Sequence, residues 1–293
     1  MQGLIIENIS NLYRIKSGNK IYEATPRGKL KKEDISPVVG DKVEISILDE
    51  NEKKAVIEEI LPRKNYIKRP KMSNLEQIVL VISCKNPKPD LLLLDKQLAF
   101  AEFLKIKSII VLNKADLDKK KEFEQIKEVY SKIGYTVIET EAKNLKGIQE
   151  LKKMLKNNIN AFSGNSGVGK STLINAIFEE KQTLEGEISQ RNKRGKNTTT
   201  SIKLYEIDEN TYIADTPGFS TFDISEIQYT ELDKYFKEFK AEIENCEFVG
   251  CTHIKEQNCG IKQAIENGKI NQSRYDRYCK IYEELKEKEK RKW

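Results

Sequence analysis

Eight residues, Gly164, Asn165, Ser166, Gly167, Val168, Gly169, Lys170 and Ser171, read GNSGVGKS and fit the phosphate-loop pattern G-x-x-x-x-G-K-[ST] at every fixed position. Glycines let successive backbone N–H groups turn inward as an anion cradle, and a helix start behind them adds positive potential. Lys170 is placed to reach the outer phosphates, with Ser171 as a Mg²⁺ ligand and Thr172 beside it. This loop alone does not choose a base. Asn113-Lys114-Ala115-Asp116 reads NKAD and supplies the choice. A carboxylate at Asp116 can accept two hydrogen bonds, from guanine N1–H and N2–H₂, which adenine does not offer. A site built for those donors penalises a base that lacks them. Asn113 and Lys114 buttress that loop and flank the base. Such residues would bind GTP or GDP and cleave the γ-phosphate.

The order of the two motifs is unusual. A GTPase domain ordinarily starts at its phosphate loop and meets NKxD late, whereas here NKAD comes first. That inversion points to a circularly permuted domain, which is feasible because domain termini often lie close together at the surface. Asp215-Thr216-Pro217-Gly218 supplies the D-x-x-G element. Its aspartate holds Mg²⁺ through water, and its Gly218 amide senses the γ-phosphate. Upstream, the polar stretch Gln190–Asn197 leads into Thr198-Thr199-Thr200. A switch threonine that ligates Mg²⁺ must precede the next strand, with Thr199 the first choice and Thr198 the second. In Thr140-Glu141-Ala142-Lys143 the backbone amide of Ala142 is the candidate partner of guanine O6.

A second constellation lies near the C-terminus. Cys246, Cys251, His253 and Cys259 give C-x₄-C-x-H-x₅-C, and His253 is the only histidine in the chain. Three thiolates and an imidazole complete a tetrahedral Zn²⁺ site with no open position, so the expected role is structural.

The elements that must position these groups are readable from periodicity. Segments 3–9, 12–15, 20–24, 43–47 and 55–60 are short strands with turn residues between them. Five strands in so short a stretch predict a small barrel, an OB barrel or an SH3-like one. Pro62 to Pro70 reads as a linker leading out of it. Beyond residue 75, apolar strands at 77–82, 107–112, 135–138, 160–162 and 211–214 alternate with helical stretches at 91–104, 119–133, 146–157 and 170–179. Alternation of this kind predicts a mainly parallel sheet covered by helices, with ligands beyond the strand ends. After 226 the chain becomes helical and charged, ending in an amphipathic helix from Arg274. The expected architecture is multidomain α/β: a barrel over 1–69, the permuted GTPase domain over 70–227, and a helical zinc-binding domain over 228–293.

Hydrophobic residues at 38% and charged residues at 33% fit a soluble chain. No apolar run approaches the roughly 20 residues of a membrane span. The start, MQGLIIENIS, has no signal-peptide pattern, so a cytoplasmic monomer without membrane contact is expected. Net charge is +6, with 14 basic against 11 acidic residues over 1–69 and 13 against 11 over 236–293. A slight surplus at both ends fits RNA phosphates, and it fits a lysine-rich solvated surface equally well.

With these residues in view the chain resembles the ribosome small subunit-dependent GTPase A family, RsgA (also called YjeQ). The resemblance runs the whole length: RGKL at 27–30, VGDKV at 39–43, NKADL at 113–117, GNSGVGKSTL at 164–173, RG-x-x-TTT from Arg194, and DTPGF at 215–219. It implies the OB form of the barrel and a partner in the small (30S) ribosomal subunit and its rRNA. It also implies a role late in subunit assembly and GTP hydrolysis stimulated by ribosomes. One departure matters. The family carries a histidine before the switch threonines, where this chain has Asn197, and asparagine cannot accept a proton near neutral pH. Phe219 stands where Ras-type enzymes keep a water-orienting glutamine. Lys170, Asn197 and Thr199 are therefore the catalytic candidates. A non-catalytic, GTP-dependent RNA-binding adaptor is the alternative, and a permuted GTPase of large-subunit assembly is a further one.

Overall fold

The computed structural model describes residues 1–28, 36–179, 202–215 and 224–291, which form two compact units. The first unit comprises 1–79, 148–163 and 170–220. Its N-terminal part is a closed five-stranded barrel of β1 (Gln2–Ile9), β2 (Leu12–Ser17), β3 (Lys20–Pro26), β4 (Lys42–Asp49) and β5 (Lys54–Ile60). β1 pairs antiparallel with both β2 and β4, and β3 runs parallel to β5. Period-two alternation buries Ile5, Ile15, Tyr22, Val43, Ile45 and Ile57 inside it. This is the OB-type closure, with the parallel β3–β5 contact of a Greek-key path.

The stretch expected as a linker is instead folded against the barrel. Tyr66–Lys68 (β6) and Lys71–Ser73 (β7) form a hairpin. Arg63 donates to both oxygens of the fully buried Asp41, at 2.7 and 2.8 Å, and the Ser73 hydroxyl donates to Asp41 at 2.6 Å. A buried carboxylate must be paired, and Asp41 recruits the segment that its proline and charge content disguised.

The same unit holds β11 (Ile159–Ser163) parallel to β13 (Thr211–Asp215), with β12 (Lys203–Asp208) antiparallel to β13. β12 also pairs with barrel strand β1. Helices Ile148–Leu155 and Lys170–Glu179, α3 and α4 of the chain, belong to this unit.

The second unit comprises 80–147, 164–169 and 221–293. Strand β8 (Gln77–Ser83) enters it and neighbours β9 (Lys107–Asn113), which lies parallel to β10 (Thr136–Thr140). Helices α1 (Leu91–Phe103) and α2 (Glu122–Lys132) follow their strands. Short 3₁₀ turns at Tyr229–Tyr235, Lys237–Phe239 and Ile243–Asn245 lead to α5 (Gly260–Glu266) and α6 (Gln272–Lys290). One apolar cluster joins α1 to the C-terminal helices, with Phe100, Leu232, Phe236, Phe239, Ile261, Tyr278 and Ile281 buried in it. Among the described residues no helix is long and apolar enough to cross a membrane.

Candidate functional site

β9 is an apolar strand that delivers Asn113 at its end. The chain then turns at Lys114, in the left-handed region at φ 63°, into the 3₁₀ turn Ala115–Leu117. Asn113 is 2% exposed and works as a hub: its Nδ2 donates to the Val168 carbonyl at 2.9 Å, and its Oδ1 accepts from the Thr140 hydroxyl at 3.0 Å. The Ala142 amide also points at that oxygen, at 3.4 Å. Lys114 Nζ donates to the carbonyls of Gly167, at 2.7 Å, and Asn86, at 2.6 Å. The NKAD segment and the phosphate loop are thereby locked together within the second unit. Asp116 stays exposed at the rim, where a base can reach it.

Two glycines are required by this interlock. Gly169, at φ 99°, lies so close to Asn113 Nδ2 that a methyl group there would overlap it. Gly164, at φ 139°, lies in the same way against the Val81 carbonyl. Between them Ser166 and Gly167 are exposed and Val168 is buried as the loop's anchor. Lys170, Ser171 and Thr172 follow directly as the first turn of α4, with Ser171 and Thr172 exposed. Burial lowers the Lys170 pKa below the ordinary amine value, a cost that an anionic ligand would offset. Asp215 closes β13. Asn197, Thr198, Thr199, Gly218 and Phe219 lie outside the described residues.

Sequence reasoning missed two residues that hold the loops. Asp90 accepts from Asn165 Nδ2 at 3.2 Å, and the Cys84 thiol donates to the Lys114 carbonyl at 3.3 Å. Asp90 carried one legible signal, its position before a helix. Cys84 carried none.

Cys246, Cys251, His253 and Cys259 converge, with their ligand atoms all within 4.8 Å of one another. His253 Nδ1 lies 3.3 Å from Cys259 Sγ and 3.6 Å from Cys246 Sγ, and those two sulfurs are 4.0 Å apart. Metal–ligand distances of about 2.1–2.3 Å in a tetrahedron give edges of about 3.6–3.8 Å, so the cluster fits one zinc ion. None of these cysteines is in a disulfide. Burial, and after it the neighbouring sulfurs, push the Cys251 thiol up to about 12, and burial also raises Cys259. A divalent cation reverses that cost by binding the thiolates.

The other ring nitrogen, His253 Nε2, is buried and lies 3.5 Å from Asp233 Oδ2 without forming a hydrogen bond. This is the kind of outer carboxylate that orients a metal-bound imidazole, and no spacing rule pointed to it. Glu256 braces the loop by accepting from the Thr252 amide and hydroxyl and from the amides of Ile254 and Lys255. Burial opposes its charge, but these donors outweigh burial and hold its carboxyl at about 2.

A phosphate loop interlocked with an NKAD segment that precedes it in the chain defines a circularly permuted GTPase domain. The RsgA GTPase family model matches residues 60–225, and the model of the RsgA N-terminal domain matches 2–57. A "Small ribosomal subunit biogenesis GTPase RsgA" of Caldanaerobacter subterraneus is 41% identical over 293 residues, all of this chain and 98% of the relative. One of the same name from Clostridium novyi is 42% identical over the whole of both chains. The crystal structure of YjeQ from Thermotoga maritima superposes with a TM-score of 0.84 at 36% identity, covering 97% of this chain and 98% of that one. The crystal structure of YloQ, a circularly permuted GTPase, gives 0.82 at 32% identity, covering 98% of this chain and 95% of that one. This chain belongs to the RsgA GTPase family.

Proposed function

We propose that this GTPase binds the small ribosomal subunit through its rRNA and acts late in that subunit's assembly, hydrolysing GTP to GDP and phosphate faster when docked. The observation that carries the reading is the lock between Asn113, Lys114 and the phosphate loop, together with the names borne by relatives aligned over the whole chain. In this reading Asp116 accepts from the guanine edge and the Ala142 amide meets O6. The backbone N–H groups from Gly164 to Gly169 cradle phosphate, and Lys170 reaches the β and γ oxygens. Ser171, Asp215 and Thr199 would hold Mg²⁺, which when bound neutralises charge on the transferring phosphoryl group. Gly218 senses the γ-phosphate, and Asn197 can hydrogen-bond the attacking water without taking its proton, so it orients that water only weakly until the chain docks.

The reading keeps three functional parts: residues 1–69 and 228–293 for the ribosome, and 70–227 for the nucleotide, in a cytoplasmic monomer. Asn197 and Phe219, standing where water-handling side chains are expected, favour one competitor, an adaptor that binds GTP without turning it over. Sedimentation tests the docking. The protein with a non-hydrolysable GTP analogue should pellet with small subunits and not with large ones, and equal or absent pelleting would contradict the reading.

The cluster of Cys246, Cys251, His253 and Cys259 is assigned one structural zinc ion per chain. A closed site of this kind contributes folding free energy directly. Metal analysis of the purified protein should give one zinc, and Cys246→Ser or chelation should raise hydrogen exchange across 246–285. Nucleotide should still bind, because the loops at 113–116 and 164–169 are held by their own hydrogen bonds. Zinc-free protein with an unchanged C-terminal exchange pattern would refute the assignment.

A further inference from the structure

Asp90 uses both carboxylate oxygens at the start of α1. Oδ1 accepts from the Leu93 amide at 2.9 Å and caps the helix, while Oδ2 accepts from Asn165 of the phosphate loop at 3.2 Å. Five residues on, roughly 7.5 Å along the axis, Asp95 is fully buried. It accepts from the Tyr130 hydroxyl at 2.5 Å and from the guanidinium groups of Arg274 and Arg277 on α6. Arg274 is itself 1% exposed, pairs also with Glu238, and stacks on Tyr130 and Phe236.

The same helix grips the cysteine–histidine loop. Tyr275 donates to the His253 carbonyl at 2.6 Å and Tyr278 to that of Thr252 at 2.9 Å. Separating α1 from α6 would leave buried charge unpaired, which is costly, so the two helices must move together. Hydrogen bonds joined through the bodies of α1 and α6 thus connect the phosphate loop to a metal-ligand residue, all inside the second unit.

We propose that Asp90 and Asp95 are positioning residues that make α1 a strut between the phosphate loop and the Cys₃His loop. Nucleotide binding at one end then quiets motion at the other, and by linkage a firm Cys₃His loop strengthens nucleotide binding by the same factor. The proposal rests on the nucleotide-binding reading above.

The test is hydrogen exchange of the full chain, with affinity for the non-hydrolysable GTP analogue measured first so that every comparison is made at saturation. In the unmodified protein the analogue should slow exchange across 246–259 and 272–285 by about fivefold or more, the lower end of usual site-to-site coupling. Asp90→Ser keeps the helix cap but is too short to reach Asn165 as well. It should leave the nucleotide-free pattern unchanged and abolish the response, whereas a merely structural role would alter the nucleotide-free pattern too. Asp95→Asn, if it folds, should lose the response in the same way. Absence of analogue binding would refute the underlying reading along with this one. Saturated binding with no slowing in the unmodified protein, an undiminished response in Asp90→Ser, or an altered nucleotide-free pattern in that variant would refute the strut alone.

Discussion

Asp116→Asn should weaken GTP binding by about 10²–10⁴-fold and strengthen binding of xanthosine triphosphate. The side chain is exposed in the middle of the short 3₁₀ turn Ala115–Leu117, so its only large task is toward a ligand. Two charge-assisted hydrogen bonds to guanine are lost, each contributing about 1.5–3 kcal/mol. The substituted amide presents a donor where guanine also donates, whereas xanthine offers a carbonyl there. Fold stability should change by less than about 0.5 kcal/mol, as at other exposed positions without structural partners. Competition binding with GTP, xanthosine triphosphate and ATP reads the result. Equal GTP and ATP affinity in the unmodified protein would remove the basis of the assignment.

Arg274→Ala should cost about 3–5 kcal/mol, because it leaves Asp95 and Glu238 buried without their shared cation. Arg277 still reaches one oxygen of Asp95 but does not touch Glu238 in the hydrogen bonds it makes. Arg274→Lys should recover only part of the loss, since an ammonium lacks the planar fork that meets two carboxylates and stacks on Phe236. Denaturant midpoints followed by exchange of α6 amides measure this. A loss below about 1 kcal/mol would mean that the carboxylates are neutral or hydrated.

These two sites were unequally legible. The phosphate loop, NKAD and the cysteine–histidine spacing are local patterns in which the chemistry dictates residue type at fixed offsets, so they stand out in one sequence. The barrel strands were readable from alternation, but the parallel β3–β5 contact that marks the OB path lies between segments far apart in sequence. Asp41 and Arg63 turned an expected linker into part of the barrel's packing. Asp95 reads as one solvated position in an apolar helix, LLLLDKQLAFAEF, and its partners Arg274 and Arg277 lie about 180 residues away. No periodicity links them. Asp233, and the Asn165 partner of Asp90, were hidden for the same reason, since a carboxylate's distant partner is a fact of tertiary structure.

The central claim, a small-subunit GTPase, is tested most directly by GTP turnover with and without purified small ribosomal subunits. Alone, the chain should be very slow, because Asn197 and Phe219 leave the attacking water poorly oriented while Lys170 and the Mg²⁺ ligands remain. Docking should raise the rate more than tenfold, yet by less than the ~10³–10⁵-fold that an added catalytic group supplies in trans, since rRNA would order existing residues. Asn197→His should raise the stimulated rate further. Fast turnover without subunits, or a rate that small subunits leave unchanged, would contradict the account.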